Sequence, residues 1–98
     1  CIFIGTGDLS LEMGVQFQAD SSASHKVDSP QMVAAIDRIL TACQKNGVIP
    51  GIVTASAEDA ARRIKQGFQL VTCMNDLGFF CSRTKQHIQS VRELAARP

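Results

Sequence analysis

Ninety-eight residues, 45% hydrophobic and 19% charged, fit at most one domain with a modest core. Ten Lys and Arg against nine Asp and Glu leave a net charge of +1, so there is no electrostatic basis for binding nucleic acid or an anionic membrane surface. No apolar run approaches the roughly 18 residues of a membrane span, and five Phe without Trp or Tyr make no stacking platform for single-stranded nucleic acid.

In chain order, the first predicted element is a strand at Ile2-Phe3-Ile4, followed by the glycine-bearing loop Gly5-Thr6-Gly7-Asp8-Leu9-Ser10 and a long polar stretch, 11–29. A loop of that length is usually functional or disordered. Ser29-Pro30 reads as an N-cap with proline at the first helical position. Met32, Ile36, Ile39, Leu40 and Cys43 then form one apolar stripe at helical spacing, and Gly47 is placed for a left-handed stop. A second strand falls within Val48–Thr54. Ser56-Ala57-Glu58-Asp59 resembles a capping box with an acidic first turn; Ala60, Ala61 and Ile64 give its helix a thin apolar face, and Gly67 closes it. The third strand falls within Gln69–Met74, and a last helix, capped by Asp76, runs from about Leu77 to Ala96.

The three strands lack strict polar alternation, which suits parallel strands covered on both faces. Each crossover is long enough for a parallel unit, and the fold class is α/β. Of the four cysteines, Cys1, Cys43, Cys73 and Cys81, none makes a C-x-x-C pair. Cys43 and Cys73 lie in apolar patterns as small hydrophobes. Reduced thiols in a cytoplasmic protein are the expectation.

Chemistry is concentrated in the loop after the first strand, because ligand crevices of parallel α/β folds lie at the carboxyl ends of strands. Two readings stand. In one, Gly5 and Gly7 make a tight turn and Asp8 caps a short helix. In the other, the glycines allow close backbone approach, successive N–H groups cradle an anion, and Asp8 offers a carboxylate to a hard divalent cation. A Rossmann fingerprint fails, because Ser10 stands where the third glycine belongs.

Cys1-Ile2-Phe3-Ile4-Gly5-Thr6-Gly7-Asp8-Leu9-Ser10 with Met13-Gly14 resembles the F-I-G-P-x-D-L-S…G signature of the HpcH/HpaI aldolase family. Asn46–Val53 resembles that family's G-x-x-x-G-(I/F)-(L/V) strand, and Gly67–Val71 with Asp76-Leu77 its G-F/A-x-F-V…D-L ending. The match covers essentially the whole chain, and the sequence after Asp8 is similar to the fungal macrophomate synthase-like branch. The resemblance implies the last, C-terminal three strand–helix units of a (β/α)8 TIM barrel with parallel strands. Such a barrel takes roughly 250 residues, so the chain is about two-fifths of one. Cys1, inside an apolar run, looks like a break, and the isolated piece is expected to expose two sheet edges.

The implied activity is that of a metal-dependent, class II aldolase, a carbon–carbon lyase acting on 2-keto-3-hydroxy acids through a metal-bound pyruvate enolate. The implied metal is Mg²⁺, with Mn²⁺ or Co²⁺ as alternatives, and the substrate is a keto acid of the pyruvate or oxaloacetate class. By the same resemblance Asp8 is a metal ligand, the N–H groups of Gly7 and Asp8 hold the substrate carboxylate, and Val53 is an apolar pocket wall. Thr6 departs from the family's proline. The family's second acidic ligand, its Arg and Gln, and its catalytic His belong to earlier strands. No catalytic residue is therefore expected within this chain, and the piece alone is expected to be inactive. Alternatives are an oxaloacetate decarboxylase or macrophomate synthase-like enzyme, and a non-catalytic α/β remnant or subunit.

His25 and His87 read as surface residues, and Glu12 does not match the family's second ligand. Arg62, Arg63 and Lys65 read as a solvated outer face. Leu77, Phe79, Phe80, Cys81, Ile88, Val91 and Leu94 give the last helix more apolar surface than a monomer needs. The family resemblance makes it a homo-oligomer contact, and ordinary core packing is the competing reading.

Overall fold

The computed structural model describes residues 1–15 and 29–97; most of the polar stretch, including His25, lies outside them. The elements are β1 (Ile2–Ile4), α1 (Thr6–Glu12), α2 (Pro30–Lys45), β2 (Pro50–Ile52), α3 (Ala57–Gln66), β3 (Leu70–Val71) and α4 (Asp76–Ala95). The sheet has the order β1-β2-β3. Both pairings are parallel: Ile4 lies opposite Ile52, and Ile52 opposite Val71. The fold class is α/β, as the sequence predicts.

The start of α2 follows its local code. Ser29 Oγ accepts from the Met32 N–H at 3.3 Å, Pro30 opens the helix, and Gly47 follows with φ +63°. Met32, Ile36, Leu40 and Cys43 are buried. The core joins Met32, Ile36 and Leu40 to Ile4, Ile52 and Phe68, with Leu9, Val15, Ile39 and Val71 packed against it.

The opposite face of the sheet is less covered than expected. Phe3 is 45% and Leu70 48% exposed, flanking Gly51 in the register. A Cβ on Gly51 would stand 2.6 Å from Phe3 Cδ2 and 3.3 Å from Leu70 Cβ. The glycine is therefore the gap across which the Phe3 ring leans. Among the described residues, apolar strand composition reflects a second face that these helices leave open.

Two expectations for α3 are corrected. The buried positions are Ala60 and Arg63, whereas Ile64 is 60% exposed and Ala61 is exposed. Arg63 is thus not on a solvated face: it is 2% exposed, with Nε 3.3 Å from Asp59 Oδ1 and Nη1 donating to Gln66 Oε1 at 3.1 Å. Its aliphatic stem fills an apolar position while the guanidinium finds partners on its own helix; among the described residues neither Nη2 nor Nε, which meets Asp59 as an ion pair, has a hydrogen-bond partner. Asp59 also holds the exposed Arg62, at 2.7 Å from Nη2.

The first turn of α3 is capped as predicted, Ser56 Oγ accepting from the Asp59 N–H at 3.1 Å. A backbone hydrogen bond and the Ser56 hydroxyl hold the Glu58 carboxyl below the ordinary carboxylate range. A depressed folded-state value means that this contribution is present above the unfolded-state value and is lost as pH falls through the folded one. A carbon-detected NMR titration should place the Glu58 midpoint below that of a free glutamate, and Ser56→Ala should raise it. A midpoint unmoved by Ser56→Ala would remove the hydroxyl from this account.

The cap of α4 is Asn75 rather than Asp76. Asn75 has extended backbone angles, and its Oδ1 accepts from the Gly78 N–H at 2.7 Å, while Asp76 is already helical and accepts from the Leu77 N–H. No residue of α4 is buried; Leu77, Phe79 and Phe80 are 67, 56 and 70% exposed. The core-packing reading of its apolar residues is therefore overturned within this chain. Cys73, expected in an apolar environment, is exposed, Cys43 is buried, and all four thiols are free. Among the described residues no helix is long and apolar enough to cross a membrane.

Candidate functional site

Parallel pairing brings the ends of β1, β2 and β3 to one edge of the sheet. There β1 leads through Gly5 directly into α1. Gly5 is the N-cap, in an extended conformation without a side-chain cap, and the Leu9 N–H donates to its carbonyl at 2.9 Å. The N–H groups of Thr6, Gly7 and Asp8 precede that first helical bond, as at any helix start. The loop is therefore a turn into a short helix, but Gly5 rather than Asp8 caps it.

Asp8 is exposed in the first turn of α1. Its carboxylate bends back over the strand end: a Cβ on Gly5 would lie 2.9 Å from Asp8 Oδ2, whereas one on Gly7 would meet nothing within 4 Å. Ser10, buried at 4% exposure, donates from Oγ to the Gly7 carbonyl at 2.7 Å and so pins the turn from behind.

Val53 follows β2 directly, half-buried, and its N–H donates to the Ile4 carbonyl at 3.1 Å. The structure thus brings Gly7, Asp8 and Val53 to the same edge, on neighbouring strand ends. Glu12 lies at the far end of α1, and His87 is exposed on α4. A groove of about 830 Å³ between α1 and α2, with Leu9, Met13 and Ile39 among its walls, contains neither Asp8 nor Val53.

A pair of threonines escaped the sequence reading. The Thr54 N–H donates to Thr72 Oγ1 at 2.9 Å, Thr54 Oγ1 donates to the Thr72 carbonyl, and Thr72 Oγ1 faces the Thr54 carbonyl at 3.3 Å. A Val-Thr dipeptide stands at the exit of each strand, Val53-Thr54 just after β2 and Val71-Thr72 across the end of β3, a repeat that was the available signal. Met74, with φ +74°, then turns the chain out of β3 while its N–H donates to the Thr54 carbonyl at 3.3 Å.

The implied metal can be tested against these residues. A hard divalent cation takes six or more oxygen ligands, and among the described residues no three His, Cys, Asp or Glu side chains gather. Asp8 is a single exposed carboxylate. The described residues do not by themselves make a metal site.

No family model matches the chain. It is 29% identical, over 94 residues, to a hydroxypyruvate/pyruvate aldolase of Paraburkholderia phytofirmans, a match covering 94% of this chain and 32% of that protein. A crystal structure of an HpcH/HpaI aldolase/citrate lyase family protein from Burkholderia cenocepacia superposes with a TM-score of 0.77 at 29% identity, over 92% of this chain and 32% of that one. The chain is similar in sequence and in fold to part of an HpcH/HpaI aldolase. The HpcH/HpaI aldolase of Desulfitobacterium hafniense, 20% identical, shares the fold with a TM-score of 0.74 over 98% of this chain and 35% of its own. The chain therefore spans about a third of the length of these relatives, and its three-stranded parallel sheet with helices corresponds to that share of their structures.

Proposed function

We propose that the full-length protein is a carbon–carbon lyase of the class II aldolase type, in which residues 1–98 form the last three strand–helix units of a (β/α)8 barrel. The supporting observation is the junction of β1 and α1. There the F-I-G-T-G-D-L-S motif places Asp8 and the first-turn N–H groups at the carboxyl edge of the sheet, beside Val53. Gly7 and Asp8 N–H groups hold the substrate carboxylate, since fixed donors at a helix start suit an anion, and Val53 is the apolar wall. Asp8 supplies one carboxylate to a divalent cation, Mg²⁺ by preference and Mn²⁺ or Co²⁺ otherwise. The remaining ligands and the proton-transferring group lie on other barrel strands.

Chemistry narrows the substrate class. Retro-aldol cleavage between C3 and C4 of a 2-keto acid leaves the C4 carbon as an aldehyde, which requires a hydroxyl on C4. The 2-keto-3-hydroxy acids expected from the sequence qualify when they also carry that hydroxyl. The exposed apolar residues of α4, among them Phe80 and Leu94, pack on a second subunit, and the protein is cytoplasmic.

The test is metal removal from the full-length protein. Release of a pyruvate-class keto acid from a 4-hydroxy-2-keto acid should vanish on chelation and return with Mg²⁺, Mn²⁺ or Co²⁺. Turnover that is indifferent to chelation, or no cleavage of any such acid, would overturn the proposal.

A further inference from the structure

We infer that Thr72 is a positioning residue for Val53, and that the Thr54–Thr72 clamp thereby sets which keto acid fits. The inference rests on the aldolase reading above. Regular pairing of β2 with β3 ends at Ile52 and Val71, and beyond it two backbone bonds remain, from the Thr72 N–H to the Ile52 carbonyl and from the Met74 N–H to the Thr54 carbonyl, each at 3.3 Å. Between them the hydroxyls replace one rung: Thr72 Oγ1 accepts the Thr54 N–H in place of a backbone carbonyl, and Thr54 Oγ1 donates in return to the Thr72 carbonyl.

Val53 is held between two tethers. On one side its own N–H is fixed to the Ile4 carbonyl of β1. On the other, the next residue, Thr54, is locked to Thr72 and is 4% exposed. By strand alternation Val53 shares the face of Gly51, and Thr72 that of Leu70. This is the open face, on which the half-buried Val53 stands at the carboxyl edge. Loss of the Thr72 hydroxyl leaves the buried Thr54 N–H without its acceptor, a state that structures avoid by shifting the backbone. The shift falls on Val53.

The experiment compares Thr72→Val, Thr72→Ser and Val53→Ala in the full-length, metal-loaded protein. The readout is the kcat/KM ratio for C3 proton exchange of pyruvate against 2-oxobutanoate, which differ by one methylene at the carbon facing an apolar wall. A methylene in such a pocket is worth about tenfold or more. The expected result is a shift of about tenfold in that ratio for Thr72→Val, in the same direction as for Val53→Ala, with the wild-type ratio restored by Thr72→Ser. A Thr72→Val protein that loses both activities equally has lost only stability, and that result, like an unchanged ratio, overturns the inference. If instead the wild-type protein exchanges neither acid, or Asp8→Ala exchanges them as well as wild type, the aldolase reading itself falls and takes the inference with it.

Discussion

Asp8→Ala in the full-length protein is expected to lower metal-dependent keto-acid cleavage by about two orders of magnitude or more, since metal polarisation contributes several kcal/mol to such reactions. The loss should appear together with weaker binding of the divalent cation. The fold should survive, because Asp8 is exposed and its structural contribution is limited to a carboxylate in the first helical turn, about 0.3–1 kcal/mol. Asp8→Asn retains the shape while removing the charge, so it should resemble Asp8→Ala in activity and wild type in melting temperature. Full turnover in either variant would sink the assignment of Asp8 to the metal.

A large stability effect is expected at Ile52. It is fully buried, lies on the central strand between Ile4 and Val71, and belongs to the main core cluster. Ile52→Ala should cost about 2–5 kcal/mol through lost burial and the cavity left behind, a large share of the total of about 5–15 kcal/mol for an ordinary domain. Ile64→Ala is the contrasting measurement. The same chemical deletion on α3 removes a side chain that is 60% exposed and should stay within about 0.5 kcal/mol. Denaturant unfolding of the two variants compares them directly, and equal losses would mean that the inward face of α3 is not the one formed by Ala60 and Arg63.

Those two isoleucines mark where sequence reasoning holds and where it stops. The stripe of α2 was legible because sixteen residues give the helical period several repeats, and its buried residues follow that period. In α3 the period had only ten residues to act on. Ala60, Ala61 and Ile64 were the apolar choices, yet the side facing the sheet carries Arg63. An arginine with a long apolar stem can occupy such a position when Asp59 and Gln66 stand within reach, one turn away on the same helix. The cap of α4 shows a similar ambiguity: Asn75 and Asp76 are both good N-cap residues, and only the extended backbone at Asn75 separates them.

The candidate site divides in the same way. The loop motif offered Gly7 and Asp8 as candidates and the strand motif Val53, through a family resemblance carried by short contiguous signals. The Thr54–Thr72 clamp is not contiguous. It joins residues eighteen positions apart, and neither threonine is distinctive until the register of β2 against β3 places them side by side.

By itself the sequence determined the local features: the caps at Ser29 and Ser56, the left-handed exits at Gly47 and Gly67, the parallel α/β order and the β1–α1 motif that carries Asp8. The caps, the exits and the motif depend on residues within a turn of one another, and the parallel order follows from crossovers long enough to carry a helix between successive strands. The tertiary structure alone decided which face of α3 is buried, that no α4 residue is fully buried among the described residues, and that hydroxyls close the rim beside Val53. Those outcomes depend on how separate segments meet, and burial and cross-strand hydrogen bonds exist only once they have met.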